Sequence, residues 1–215
     1  MSKQKILVTF GTRADAAKMA PLVKALRRET ASFDTTVCVT AQHREMLDQV
    51  LHAFQIVPDI DLDLMQHRQS LNGLAQRILG AFDGVLAELA PDILLVHGDT
   101  LTTFMAAVAA FYRQIPIGHV EAGLRTYHRY EPYPEEMHRQ LVARLADYHY
   151  APTAANKADL LAERIPEDII FVTGNTAIDA IQDTVIPDFI FTDPKLQQLT
   201  QSGRRLLTVT AHRRE

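Results

Sequence analysis

Two successive apolar runs in this chain each end in a histidine followed two residues later by a carboxylate. The run P-D-I-L-L-V-H closes at His97 and is followed by Gly98-Asp99-Thr100. The run Q-I-P-I-G-H-V contains His119 and is followed by Glu121-Ala122-Gly123-Leu124-Arg125. A glutamate at the end of a buried strand is costly to desolvate unless it is paired, and Arg125 is one structural partner for it. Asp99 has a structural role open to it as well, as a helix N-cap. Neither role explains why two neighbouring segments repeat the pattern. Titratable groups converging on one edge of a fold are what the removal and return of a proton require, so the acid–base reading is preferred.

A third segment, Y-E-P-Y-P-E-E-M-H-R, has Pro134 at a first helical position with Glu135 and Glu136 behind it. Acidic residues there offset the positive end of the helix dipole. One glutamate accounts for that role, which leaves the other for chemistry, with His138 and Arg139 on the same turns. Near the start, F-G-T-R-A-D-A-A-K places Gly11, Thr12, Arg13 and Lys18 where an apolar run turns into a helix. Such a start carries free N–H groups and suits a phosphate; an ordinary turn with a solvated arginine fits it equally. His43 follows another run, in A-Q-H-R-E, where it can line a polar pocket, and His212 sits in the basic segment T-A-H-R-R-E.

Other chemistries lose their support. There is no G-x-G-x-x-G, no G-x-x-x-x-G-K-[ST] and no G-x-S-x-G, so dinucleotide, P-loop and serine-nucleophile readings fall away. The nine histidines are scattered without an H-E-x-x-H or a His/Cys cluster, so neither a metal nor another cofactor is expected. Cys38, the one cysteine, lies inside T-V-C-V-T and reads as strand packing in a reducing, cytoplasmic protein.

The elements that must position these residues alternate along the chain. Ile6–Phe10, Thr36–Thr40, Ile93–Val96, Ile115–Val120, Tyr148–Ala151 and Ile169–Val172 are continuously apolar, as strands covered on both faces are. Between them, helical spacing runs through about 16–28, 45–54, 71–89, 102–112 and 135–146. The pattern predicts an α/β, doubly wound parallel sheet of Rossmann-like type, with ligands at the carboxyl ends of the strands. Beyond V-T-G-N-T-A-I-D-A a further helix and a proline-containing connection follow, and then R-R-L-L-T-V-T predicts a new strand. A lone strand has no partner for its edges, so it either joins the main sheet or begins a second domain, and the second reading is adopted. The expected organisation is a first domain over residues 1–173 and, over 174–215, a connection with the first strand of a truncated second domain.

The 215 residues carry 22 basic and 26 acidic side chains, a net charge of −4, with no basic stripe. A nucleic-acid footprint is therefore not expected. No apolar run approaches the roughly 18 residues of a membrane span, and the opening residues lack a signal-peptide core.

With these segments in place, the chain resembles the bacterial non-hydrolysing UDP-N-acetylglucosamine 2-epimerases over essentially its whole length. The resemblance rests on F-G-T-R, K-M-A-P-L-V, V-T-A-Q-H-R-E-M-L-D-Q-V-L, V-H-G-D-T, I-P-I-G-H-V-E-A-G-L-R-T, P-E-E-x-x-R, V-T-G-N-T and T-x-H-R-R-E, in family order. It implies one half of a GT-B-like enzyme, in which two Rossmann-like domains face each other across a cleft. The implied reaction interconverts UDP-N-acetylglucosamine and UDP-N-acetylmannosamine by eliminating UDP and adding it back with the opposite configuration at C2. By resemblance Asp99, Glu121 and Glu135 are the acid–base set and His212 assists at the diphosphate. Arg13 and Lys18 match residues near the diphosphate and the carboxylates. Gln42, His43, Arg68 and Gln69 match a region where some members bind a second, activating UDP-N-acetylglucosamine. A homodimer, a place in cell-surface polysaccharide synthesis and an inactive isolated chain are further implications.

The match has departures. Ala14, Asp15 and Ala17 stand where the family has Pro, Glu and Ile; Leu101 replaces a threonine and His138 an asparagine. Two other readings fit the same segments: a glycosyltransferase domain, which needs no such set of carboxylates, and a non-catalytic sugar-nucleotide-binding or interaction module from a truncated gene.

Overall fold

The computed structural model of the protein describes residues 3–40, 44–64 and 70–209. Seven strands form one sheet: β1 (Gln4–Phe10), β2 (Phe33–Val39), β3 (Ile60–Asp61), β4 (Ile93–His97), β5 (Ile117–Val120), β6 (Tyr148–Ala151) and β7 (Ile170–Val172). All neighbours are parallel, in the order β3-β2-β1-β4-β5-β6-β7. The chain moves outward from β1, returns to lay β4 on β1's other side, and moves outward again. That reversal is the doubly wound switch point, beside which such sheets bind ligands. The α/β Rossmann-like expectation is met.

The connections are α1 (Arg13–Arg28), α2 (Arg44–Ala53), α3 (Leu71–Leu89), α4 (Leu101–Tyr112), α5 (Glu135–Leu145) and α6 (Ala154–Ala162), followed past β7 by α7 (Thr176–Thr184) and α8 (Pro194–Gln201). Successive residues of a strand point to opposite faces, and this divides the core. Ile6, Val8 and Phe10 of β1 pack with Ala16, Met19 and Val23 of α1. Leu7 between them joins Ile78, Phe82 and Leu86 of α3 and Ala106 and Ala110 of α4 on the other side. The uninterrupted apolar runs are thus the signature of two buried faces.

The six expected strands are present, with ends moved by up to three residues. Two-residue β3 is too short to leave a periodic signal, and α6 and α8 were likewise unanticipated. The expected last strand is not found: among the described residues 204–209 no strand forms, and Leu207 and Val209 are 86% and 78% exposed. A strand needs a neighbour to take its N–H and C=O groups.

The chain divides into two compact units, Met1–Thr184 and Val185–Glu215. The first contains the sheet and α7, whose Asp183 pairs with Lys24 of α1 at 3.1 Å. Within the second, Asp193 caps α8 by accepting from the N–H groups of Lys195 and Leu196 at 2.8 and 3.1 Å. No helix among the described residues is long and apolar enough to cross a membrane.

Candidate active site

The carboxyl ends of β4 and β5 hold the first two carboxylates. Asp99 lies one residue before the N-cap of α4. The cap is Thr100, whose hydroxyl accepts from Thr103 N–H at 3.3 Å, so Asp99 has no capping duty and its side chain is left for other work. Burial pushes its carboxyl up to about 6. Arg139, 3.6 Å away, opposes that rise, while the charges of Asp15, Glu135 and Glu121 add to it. An acid poised there exchanges its proton near neutrality.

Glu121 terminates β5 with a left-handed backbone, φ 61°. Such a conformation costs a non-glycine residue about 1–2 kcal/mol. Its Oε1 accepts from Lys18 Nζ at 2.5 Å and from Asn175 Nδ2 at 3.1 Å. Its Oε2 stands 3.6 Å from His97 Nε2, and the other ring nitrogen of His97 meets Asp15 Oδ1 at 3.3 Å. Lys18, reaching over from α1, is therefore the cation that offsets Glu121's burial. Arg125, expected as a partner, instead clamps Glu163 at 2.6 and 2.9 Å. Glu163 is the C-cap residue of α6.

The two glutamates opening α5 have different surroundings. Glu136 is fully buried and accepts from the N–H groups of Thr126 and Tyr127 at 3.1 and 3.0 Å and from Gln140 Nε2 at 2.7 Å. Burial opposes its ionisation, but these bonds prevail and hold its carboxyl below the usual range. With Arg139 Nε 2.8 Å away, Glu136 ties the loop after β5 to α5. Glu135 is left on the side of Asp99, near enough for its charge to raise that carboxyl. Pro134 sits at the N-cap rather than at the first helical position and makes no side-chain cap bond, and the helix starts at Glu135, as its spacing predicted.

The fold thus brings Asp99, Glu121, Glu135 and Lys18 to one edge of the sheet. Arg13, at the start of α1, is exposed. Gln42, His43, Arg68, Gln69 and His212 lie outside the described residues. His97, singled out with Asp99 in sequence, stands between Asp15 and Glu121; Asp15 and Asn175 join the site although no role was expected of them. Their signal in sequence was only their presence in the first turn and in V-T-G-N-T. Gly11 completes the first turn: a Cβ there would strike the hydroxyls of Thr40 and Thr102, which bond each other at 2.7 Å. Elsewhere, burial first and then Asp61 push the Cys38 thiol up to about 12, so it stays protonated and inert. Among the described residues no group of three or more His, Cys, Asp or Glu side chains is placed to hold a metal ion.

Residues 24–215 match the family described as UDP-N-acetylglucosamine 2-epimerase. The chain is 52% identical over 216 residues to the Yersinia pestis UDP-N-acetylglucosamine 2-epimerase, covering 98% of this chain and 57% of that protein. It is 51% identical over 215 residues to the Bacillus subtilis enzyme of that name, covering 100% and 55%. The crystal structure of UDP-GlcNAc 2-epimerase from Neisseria meningitidis bound to UDP-GlcNAc superposes with a TM-score of 0.82 at 51% identity, over 84% of this chain and 48% of that one. The chain spans about half the length of the curated relatives it matches. On a family match covering most of the sequence and relatives about half identical along it, this chain belongs to the UDP-N-acetylglucosamine 2-epimerase family.

Proposed function

We propose that this chain supplies the acid–base half of an enzyme that interconverts UDP-N-acetylglucosamine and UDP-N-acetylmannosamine. The carrying observation is the convergence of Asp99, Glu121 and Glu135 at the edge where β4 and β5 end, with Asp99 poised near neutrality and Glu121 paired with Lys18. The ligand class is supported by the Neisseria meningitidis relative, whose crystal structure holds UDP-GlcNAc. The C2 proton has no adjacent carbonyl to acidify it. Its removal is coupled to loss of UDP: the C2–H electron pair becomes the C1–C2 double bond as the C1–O bond breaks. Re-addition reforms C1–O while a proton is delivered to the opposite face of C2. Carboxyl groups serve the two proton transfers, and Arg13, the α1 start and His212 serve the departing diphosphate.

An activating second UDP-N-acetylglucosamine at Gln42, His43, Arg68 and Gln69, action in the cytoplasm and a homodimer belong to the same reading. For the dimer, α4 offers an outward row of partly exposed Phe104, Met105 and Val108 with exposed Phe111 and Tyr112. The buried, protonated Cys38 suits a reducing compartment. The relatives and the three carboxylates disfavour both the glycosyltransferase and the non-catalytic alternatives.

The test replaces the matching residues of the Bacillus subtilis relative by this chain and incubates the chimera with UDP-N-acetylglucosamine in D2O. Deuterium is expected at C2, with at least a ~100-fold loss in Asp99→Asn, the usual scale for a general acid or base. The 215-residue polypeptide alone is expected to exchange little or none. A folded chimera that binds UDP-N-acetylglucosamine without exchange overturns the proposal.

A further inference from the structure

Two imidazoles from different elements reach the same turn. His119 of β5 is fully buried and its Nε2 lies 2.7 Å from the Gly98 carbonyl oxygen. His138 of α5 is 7% exposed and its Nδ1 lies 3.0 Å from the Asp99 carbonyl oxygen. A carbonyl oxygen only accepts, so each ring nitrogen must carry the proton. These two carbonyls belong to the two peptide groups that meet at the Asp99 Cα. Holding both planes fixes φ and ψ of Asp99, and with them the direction in which its side chain leaves the backbone. The turn needs such restraint. Gly98 is left-handed at φ 62°, and its N–H is held by Val120 O at 2.9 Å. Thr103 Oγ1 bonds the His97 carbonyl just before it.

We propose that His119 and His138 are positioning residues that clamp the peptide groups flanking Asp99 and so aim its carboxyl. Because the importance of that aim rests on the proposed acid–base role of Asp99, the test reads the clamp without substrate. Neutral donors suit the task. Burial drives His119 down to about 3, although its bond to the Gly98 carbonyl opposes this. It lowers His138 too, against the Asp99 carbonyl and the charge of Glu135. Burial thus disfavours a charge on either ring. The groups that do face Asp99 are Arg139 and Glu135 of α5, Asp15 of α1 and Glu121 at the end of β5.

His138 also stacks on Phe104, ring centroids 5.2 Å apart, so donor and packing roles must be separated. His138→Asn keeps a nitrogen at the position of Nδ1 and loses the ring; His138→Phe keeps the ring and loses the donor. His119→Gln and His119→Phe form the matching pair. Carbon-13 NMR of the Asp99 carboxyl in the whole chain is expected to titrate as wild type in the Asn and Gln variants. In the Phe variants the turn relaxes toward water and the Asp99 pKa falls by about one unit, toward the ordinary carboxylate value. Asn shifted and Phe unchanged, or all four unchanged, overturns the proposal. Should the Phe variants fail to fold, nitrogen-15 spectra of the wild-type chain decide: protons on His119 Nε2 and His138 Nδ1 are required, and the opposite tautomer at either ring refutes the clamp. Loss of C2 exchange in the chimera with a normal Asp99 titration would instead count against the epimerase reading alone.

Discussion

At the scale of single residues, the site consists of carboxyl groups with different surroundings. Glu121 has Lys18 and Asn175 on one oxygen; Asp99 has Arg139 at 3.6 Å and is raised to about 6 by burial and by its acidic neighbours. That rise has a consequence for stability. A folded-state pKa above the unfolded value means the folded chain binds the proton more tightly, so the favourable contribution is complete below about pH 4 and is lost as pH rises through about 6. Above that, the Asp99 carboxylate weakens the fold by up to roughly 2–3 kcal/mol. Asp99→Asn, which cannot ionise, is therefore expected to melt several degrees above wild type at about pH 8, since about 1 kcal/mol shifts Tm by roughly 2–4 °C in a domain of this size. At about pH 4 the two proteins should melt together. Calorimetry across that range checks it, and equal melting at both ends would mean the carboxyl is not perturbed.

At the scale of elements, the sequence disclosed what depends on local periodicity and hid what depends on contact across the fold. Continuous apolar runs revealed β1, β2 and β4 to β7, because burial on both faces leaves no polar alternation. Two-residue β3 offered no period to read. Asp99 and Glu121 stood out because each lies within two residues of its strand's end, and Glu135 because one of two glutamates was surplus to the helix start. Asn175 lies 54 positions from Glu121, and Asp15 lies 82 from His97; nothing local links such pairs. The Arg125–Glu163 pair, 38 positions apart, misled for the same reason. The first turn makes the positional demand testable. Gly11 faces the Thr40–Thr102 hydroxyl pair with no room for a Cβ. Gly11→Ala is expected to destabilise the protein by about 1–3 kcal/mol in urea unfolding, the usual range for overpacking. Thr102→Ala should recover part of that loss in the double variant, because it removes one of the two hydroxyls a Cβ would strike and frees the other to turn away. Additive losses would place the strain elsewhere.

At the scale of the whole molecule, stability is concentrated in the first unit. Every residue of the buried core lies between Ile6 and Ala180, and α7 belongs to that core through Ala180. Beyond Thr184 the balance changes. None of the described residues 185–209 is buried, and Phe189, Ile190, Leu196, Leu199 and Leu207 are all more than 45% exposed. An eight-residue helix such as α8 is below the ~12–15 residues at which even favourable sequences hold helix alone, so its Asp193 cap cannot compensate for missing burial. Opening there should need little free energy compared with opening the sheet. Limited proteolysis of the 215-residue chain is accordingly expected to cut first within 185–203, leaving a resistant fragment that ends near Thr184. That fragment should keep the Tm of the longer chain to within about 2 °C, since a change of about 0.5 kcal/mol would move it no further. A cut between α7 and the end of β7, or a fragment melting many degrees lower, would show that residues past Thr184 support the sheet.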